Sequence, residues 1–240
     1  MGSFSGSFRC RHRVLEASLA IAIAVALPVS IAVAVAVATT SDARAQPAIH
    51  PSLNAQLLVA ARQGDAAQTT RLLRSGAAIN SRNRLGKSAL LLACEKGNAG
   101  LANLLMAAGA DPNQASLEGV TPLMAASYAG NAALVRQLLD AGARTEPTDR
   151  MRKPAAVYAA GQGHAAALEA LLVGGVDVNA VYEHDLTLLM WAAGQGHAQA
   201  VRLLLERGAR SDMRDDRGMT AIEIARQSGH SEAAESAGLH

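Results

Sequence analysis

Residues Gly119 to Ala143 read GVTPLMAASYAGNAALVRQLLDAGA, and their local signals spell a helix, a turn and a second helix. Thr121 suits an N-cap, where its hydroxyl accepts from a free N–H of the first turn. Pro122 suits the first helical position, where a missing N–H costs nothing. Leu123, Met124, Ala126 and Ser127 place a small or apolar stripe on one side before Gly130 stops the helix. Ala133, Leu134, Val135, Leu138 and Leu139 form a second stripe at helical spacing. Gly142 ends it, in a position that tolerates positive φ. Neither helix is long enough to be stable alone in water, so each needs neighbours against its apolar side.

Neighbours of the same kind are present. The inter-helix glycine recurs as Gly64, Gly97, Gly130, Gly163, Gly196 and Gly229, always 33 residues apart. The closing glycine recurs at the same period as Gly76, Gly109, Gly142, Gly175 and Gly208. The leucine pair returns as Leu72-Leu73, Leu138-Leu139, Leu171-Leu172 and Leu204-Leu205, with Leu105-Met106 in the second unit. A fixed period of 33 with helix–turn–helix content is the mark of a repeat solenoid whose units bury a shared core.

From about Pro51 to the C-terminus the chain resembles the ankyrin repeat family. The residues that carry the resemblance are T-P-L-M-A-A at Thr121 to Ala126 and T-L-L-M-W-A-A at Thr187 to Ala193. To these are added Gly-His at Gly163-His164, Gly196-His197 and Gly229-His230, and G-A-D-P-N at Gly109 to Asn113. The expected fold is all-α, a solenoid of stacked helix pairs. Repeats are expected at about 53–85, 86–118, 119–151, 152–184 and 185–217, with a capping unit over 218–240. The resemblance implies β-hairpin fingers projecting from the segments between helix pairs. Ser52 or Asn54 is the expected cap of the first helix. The fourth repeat departs most, because Arg152-Lys153-Pro154 stands where Gly119 to Thr121 led into the third repeat's first helix. An irregular finger and first turn are expected there. The fifth repeat has Asp185 in place of the finger glycine and is otherwise regular. Asn80, Asn113 and Asn179 share one phase and are read as structural turn residues.

The N-terminal segment is an address. Arg9, Arg11 and Arg13 precede an uncharged Ala/Val/Ile-rich run from Leu19 to Ala38, and Ala43-Arg44-Ala45 offers a small-residue cleavage site. This reads as a secretory signal peptide over 1–45, followed by a linker at 46–52. The run is also long enough for an uncleaved anchor, and Pro28 with the A-x-A site favours cleavage. Either way, arginines before the span leave the repeats outside the cytoplasm, in the periplasm or secreted. Removing 1–45 leaves eighteen positive residues facing eighteen negative ones, which argues against nucleic acid as the partner. It also leaves Cys94 as the one cysteine, in a small-residue slot shared with Ser127, Ala160 and Ala193, so a buried thiol is expected.

No catalytic constellation stands out. His164, His197 and His230 recur one repeat apart, on helix pairs spaced about 8–10 Å apart. A metal needs its nitrogens about 2.0–2.1 Å away, so the three cannot easily converge. Each is expected to start a second helix and hydrogen-bond locally. Asp215-Asp216 lacks the further carboxylates of a calcium loop. With aromatic residues at 2% of the chain, a ligand cavity is not expected, nor is a cofactor or metal, and the chain is not expected to be an enzyme. Trp191 and Tyr158 share one slot on adjacent first helices. They read as stacked, half-buried packing residues, with an aromatic binding anchor as the alternative.

What the resemblance implies is binding of another protein by a monomer, through the concave face of finger tips and first helices. By phase, the second repeat places Arg82, Arg84, Leu85, Lys87, Glu95 and Lys96 on that face. The third adds Leu117, Glu118, Val120 and Tyr128; the fourth Arg150, Met151 and Lys153; the fifth Glu183, His184 and Leu186; the sixth Asp216, Arg217 and Met219. Some periplasmic ankyrin proteins support catalase or oxidative-stress defence, which is one candidate partner class. A secreted effector aimed at host proteins is the alternative, and an enzyme or metal-binding protein built on the repeat frame is the lesser one. The reading of the leader has a direct check: intact-mass measurement of the exported protein is expected to give a chain starting at Gln46, and a retained leader would contradict it.

Overall fold

The computed structural model describes residues 51–238, so the leader or anchor expected over 1–45 lies outside the described residues, with most of the linker. Among those residues there are twelve α-helices, one short 3-10 turn and no strand. The helices come in pairs: α1 (Leu53–Gln63) with α2 (Ala66–Arg74), α3 (Ala89–Glu95) with α4 (Ala99–Ala107), and α5 (Pro122–Tyr128) with α6 (Ala132–Asp140). They continue as α7 (Ala155–Gly161) with α8 (Ala165–Val173), α9 (Leu188–Gly194) with α10 (Ala198–Glu206), and α11 (Ala221–Gln227) with α12 (Ser231–Ala237). First helices pack on first helices in the row α1–α3–α5–α7–α9–α11, and second helices form a parallel row from α4 to α12.

The first row packs closely because its central column holds nothing larger than a methyl group. Ala60, Ala93, Ala126, Ala159, Ala192 and Ala225 recur at the repeat period and are all 0% exposed. Leu72, Leu105, Leu138, Leu171 and Leu204 fill the layer between the rows. Burying one such leucine contributes about 1.5–3 kcal/mol, so the stack is held mainly by contacts repeated from unit to unit. Cys94 lies in this core, and burial, with Glu95 nearby, pushes its thiol pKa up to about 12. It is a small apolar residue with no thiolate at neutral pH.

The helix starts follow their capping chemistry. Thr121 accepts from Met124 N–H at 3.2 Å, with Pro122 in the first turn. Ser52 caps α1, while Asn54 reaches forward to accept from Ala78 N–H at 2.8 Å. The fourth repeat departs from the pattern at its first turn, as expected, since Pro154 occupies the capping position of α7 and has no side-chain oxygen to offer. Its finger, expected to be irregular, keeps the turn of its neighbours, with Arg152 at φ +55° where they have glycine.

Three expectations are corrected. The fingers are not β-hairpins, because each is closed too near its tip for a ladder; two of them carry a single bridge each, Arg82 with Ser88 and Val181 with Thr187. The histidines do not bond locally. His164 and His197 begin α8 and α10 without capping them, and instead their Nε2–H groups donate 3.0 Å to the carbonyls of Tyr128 and Gly161 in the preceding repeat. The imidazole of His164 lies so close to Gly130 (φ +70°) that a Cβ there would meet its Nδ1 at 2.5 Å. Glycine is required at that turn by space as well as by backbone conformation. The fifth repeat is not otherwise regular at its finger, for a reason given below.

Asn80, Asn113 and Asn179 are structural, but as clamps between repeats. Asn113 accepts from Arg144 N–H at 2.8 Å and donates to the Gly142 carbonyl at 3.0 Å. Asn179 repeats both bonds to Arg210 and Gly208, and Asn80 accepts from Asp111 N–H. Each bond satisfies backbone groups left free just beyond a helix C-terminus.

Candidate functional site

Five loops carry the chain from one helix pair to the next, with tips at residues 82–87, 115–120, 148–153, 181–186 and 214–219. Four of these fingers are turned by the same device. Asn83 Oδ1 accepts from Leu85 and Lys87 N–H at 2.9 and 3.0 Å. Ser116 Oγ accepts from Glu118 and Val120 N–H at 3.3 and 3.2 Å. Asp149 Oδ1 accepts from Met151 and Lys153 N–H, both at 2.9 Å, and Asp215 Oδ1 from Arg217 and Met219 N–H at 3.0 and 2.8 Å. A short side-chain acceptor that reaches the N–H two residues ahead fixes a tight turn without a strand ladder. Desolvation opposes ionisation of Asp215, but these N–H donors and the Arg217 guanidinium together hold its carboxyl below the usual range.

The fourth finger has Tyr182 in this slot, which has no such acceptor. Its tip is a 3-10 turn over Glu183–Asp185, with His184 and Asp185 at φ +61° and +55°. Burial, with Asp177 nearby, pushes the Tyr182 phenol up to about 12, so it stays neutral. The consequence is a break between fingers. Leu117 N–H donates to the Leu85 carbonyl at 3.0 Å, Arg150 to Glu118 at 2.9 Å, and Asp216 to His184 at 3.1 Å. No equivalent bond joins the third and fourth fingers among the described residues. A cavity of about 310 Å³ opens there, between Met151, Arg152 and Lys153 on one side and Glu183, His184 and Leu186 on the other.

Trp191 and Val157 also line that cavity. Lys153 Nζ sits 4.6 Å from the centre of the indole, a cation–π contact that holds the ammonium over the ring. The Trp191 Nε1–H is buried without a partner among the described residues. One repeat back, the Tyr158 hydroxyl donates to Asp149 Oδ2, and Tyr128 packs edge-on to Tyr158 at 5.8 Å and 80°. Burial first, then this bond and the charge of Asp149, hold the Tyr158 phenol well above its ordinary range. Tyr128 and Tyr158 line a second cavity of about 350 Å³ with Glu95, Val120 and Met124. Tyr158 and Trp191 are thus half-buried, as expected, but their ring partners are Tyr128 and Lys153 in place of each other.

The residues expected on this face separate into groups. Leu85, Leu117, Tyr128 and Met151 are 56–62% exposed, unusual for large apolar side chains. Val120, Leu186 and Met219 are half-buried and support the tips. Lys87 is held by Glu95 at 2.6 Å, His184 Nδ1 by Asp216 at 2.9 Å, and Arg217 by Asp215 at 2.7 Å. Arg82, Arg84, Lys96, Glu118, Arg150 and Glu183 are exposed. Asn83, Ser116 and Asp149, which shape the face, were not singled out in the sequence. The signal was available: short polar residues recur there at the repeat period, and the column breaks at Tyr182.

A family model described as ankyrin repeats (three copies) matches residues 57–149 and 156–236. The chain belongs to the ankyrin repeat family. Among solved structures it is similar to the ankyrin repeat protein EF0377, with a TM-score of 0.71 and 25% identity over 78% of this chain and 98% of that one. It is also similar to an ankyrin repeat domain (ABAYE2397) from Acinetobacter baumannii AYE, with a TM-score of 0.68 and 31% identity over 75% and 95% of the two chains. No curated protein matches the sequence. Ankyrin repeats are in general protein-interaction modules, and the face described here has the make-up of one: exposed apolar tips, two cavities with aromatic walls and charges of both signs.

Asp149 is the residue on which the third ankyrin finger depends. Asp149→Ala is expected to cost about 2–3 kcal/mol, since it removes a buried carboxylate from three donors. It is also expected to change the emission of Trp191, the one tryptophan, because Lys153 loses its anchorage. Chemical denaturation followed by Trp191 fluorescence reads both, and an unchanged emission spectrum would contradict the coupling.

Proposed function

We propose that this ankyrin repeat protein is an exported, non-enzymatic scaffold that works outside the cytoplasm, in the periplasm, and binds one partner protein along its finger face. The observation that carries this reading is the set of exposed apolar tips on three successive fingers, Leu85, Leu117 and Met151, together with the exposed Tyr128 at the end of α5. Isolated apolar residues on a surface need no explanation, but a row of them bordered by Arg84, Glu118, Arg150 and Lys153 matches the apolar-core, polar-rim arrangement of protein interfaces. Export is supported by the charged, apolar and small-residue segments of the leader. Support of oxidative-stress defence is the partner class that the family resemblance suggests.

The face is tested by placing a photo-crosslinking amino acid at single positions in a cell that exports the protein. Cross-links to one protein are expected from Tyr128 and Met151 and not from Val173, which is 74% exposed at the end of the second helix α8. Equal capture from all three positions, or none from the finger face, would contradict the proposal.

A further inference from the structure

The N-terminal end of the repeat stack differs from the rest in its charge. Residues 51–96 carry seven Lys or Arg and two Asp or Glu, whereas residues 97–240 carry eleven against sixteen. Towards the C-terminal end most of the arginines are paired within the fold: Arg202, Arg207, Arg210, Arg214 and Arg217 each have a carboxylate partner. Arg62, Arg82 and Arg84 have none among the described residues. All three line one open cleft of about 730 Å³, which runs along α1 from its cap to its last turn and faces the first finger. No Asp or Glu lines it. The volume is within the range of ligand clefts, roughly 300–1,000 Å³.

The cleft is also built to receive something apolar. Leu58, Val59 and Leu92 line it beneath the arginines, and Val59 is 51% exposed. No aromatic residue lines it, so there is no platform for stacking a nucleobase. The finger that presents Arg82 and Arg84 is stiffened by the two bonds to Asn83 and by the bridge from Arg82 to Ser88. Two guanidinium groups on a fixed turn lose less freedom on binding than two on a loose loop, and each fits a carboxylate with paired N–H donors.

We infer that this basic cleft takes an acidic, extended segment of the partner protein, in which carboxylates flank an aliphatic side chain. The inference rests on the reading of the finger face as a protein-binding surface, and adds which end of the partner-binding face is electrostatic and what chemistry it selects. Arg62, Arg82 and Arg84 hold the carboxylates, and the aliphatic side chain lies on Leu58, Val59 and Leu92. The apolar tips from Leu117 to Met151 hold the remainder of the partner.

The test uses the exported protein and three fluorescein-labelled probes. One is a ten-residue peptide with a central Leu-Leu pair flanked on each side by two Glu; the second has Lys for Glu; the third is a ten-nucleotide oligothymidine. The acidic peptide is expected to bind by fluorescence anisotropy, with affinity falling about tenfold per arginine in R82E and R84E and falling with added salt. Lys peptide binding of equal strength, oligothymidine binding in preference to the acidic peptide, no binding, or binding unchanged in R82E/R84E would each overturn the inference. Cross-linking from Tyr128 and Met151 is read separately. If it persists while the peptide fails, the cleft is removed from the account and the scaffold reading stands; if both fail, the scaffold reading falls too.

Discussion

The repeat stack depends on the distance at which one first helix can lie against the next. That distance is set by a column of six alanines, with no side chain larger than a methyl group and no exposed surface. Close-packed interiors do not deform continuously, so a spacing fixed at the helices is transmitted to the loops they carry. The fingers project from the starts of those helices and, except between the third and the fourth, hydrogen-bond to one another at their tips. The finger face is therefore a by-product of the core's smallest residues.

Within that frame the largest difference between fingers lies in their turn chemistry. Asn83, Ser116, Asp149 and Asp215 each supply an acceptor that turns the tip, and Tyr182 does not. The gap beside Trp191 follows from that one substitution, together with the left-handed residues His184 and Asp185 that take up the slack. Short polar residues near a positive-φ position are among the few that tolerate it, which is why His and Asp stand there. Aromatic residues, scarce in the chain as a whole, line two of the cavities of this face.

Much of the fold was legible because a period of 33 repeats the same constraint several times. Thr121, Pro122, Gly130 and Gly142 each have a local reason to be where they are, and local reasons can be read from sequence. Cys94 was legible by its column of small residues. Bonds that span repeats were harder. Asn113 and His164 look like ordinary turn and cap residues until the next repeat is in place to receive them. The finger acceptors were missed because Asn, Ser and Asp do the same work with different letters. Hairpins were expected from the family resemblance, but beyond the backbone bond that closes each tip only two fingers add a single bridge. The exposure of Leu85, Leu117 and Met151 could be placed by phase, whereas the break between fingers three and four depends on geometry that periodicity does not carry.

The central claim is that the alanine column sets the register of the fingers. Amide hydrogen exchange in Ala126→Val tests it most directly, since one added bulk at α5 is expected to cost about 1–3 kcal/mol by overpacking and to force the neighbours apart. The account predicts faster exchange at the tip amides of Leu117 and Arg150, which bond from finger to finger, while amides within α5 and α6 remain protected. Tip amides that exchange as slowly as in the parent protein, with the helices equally intact, would contradict it.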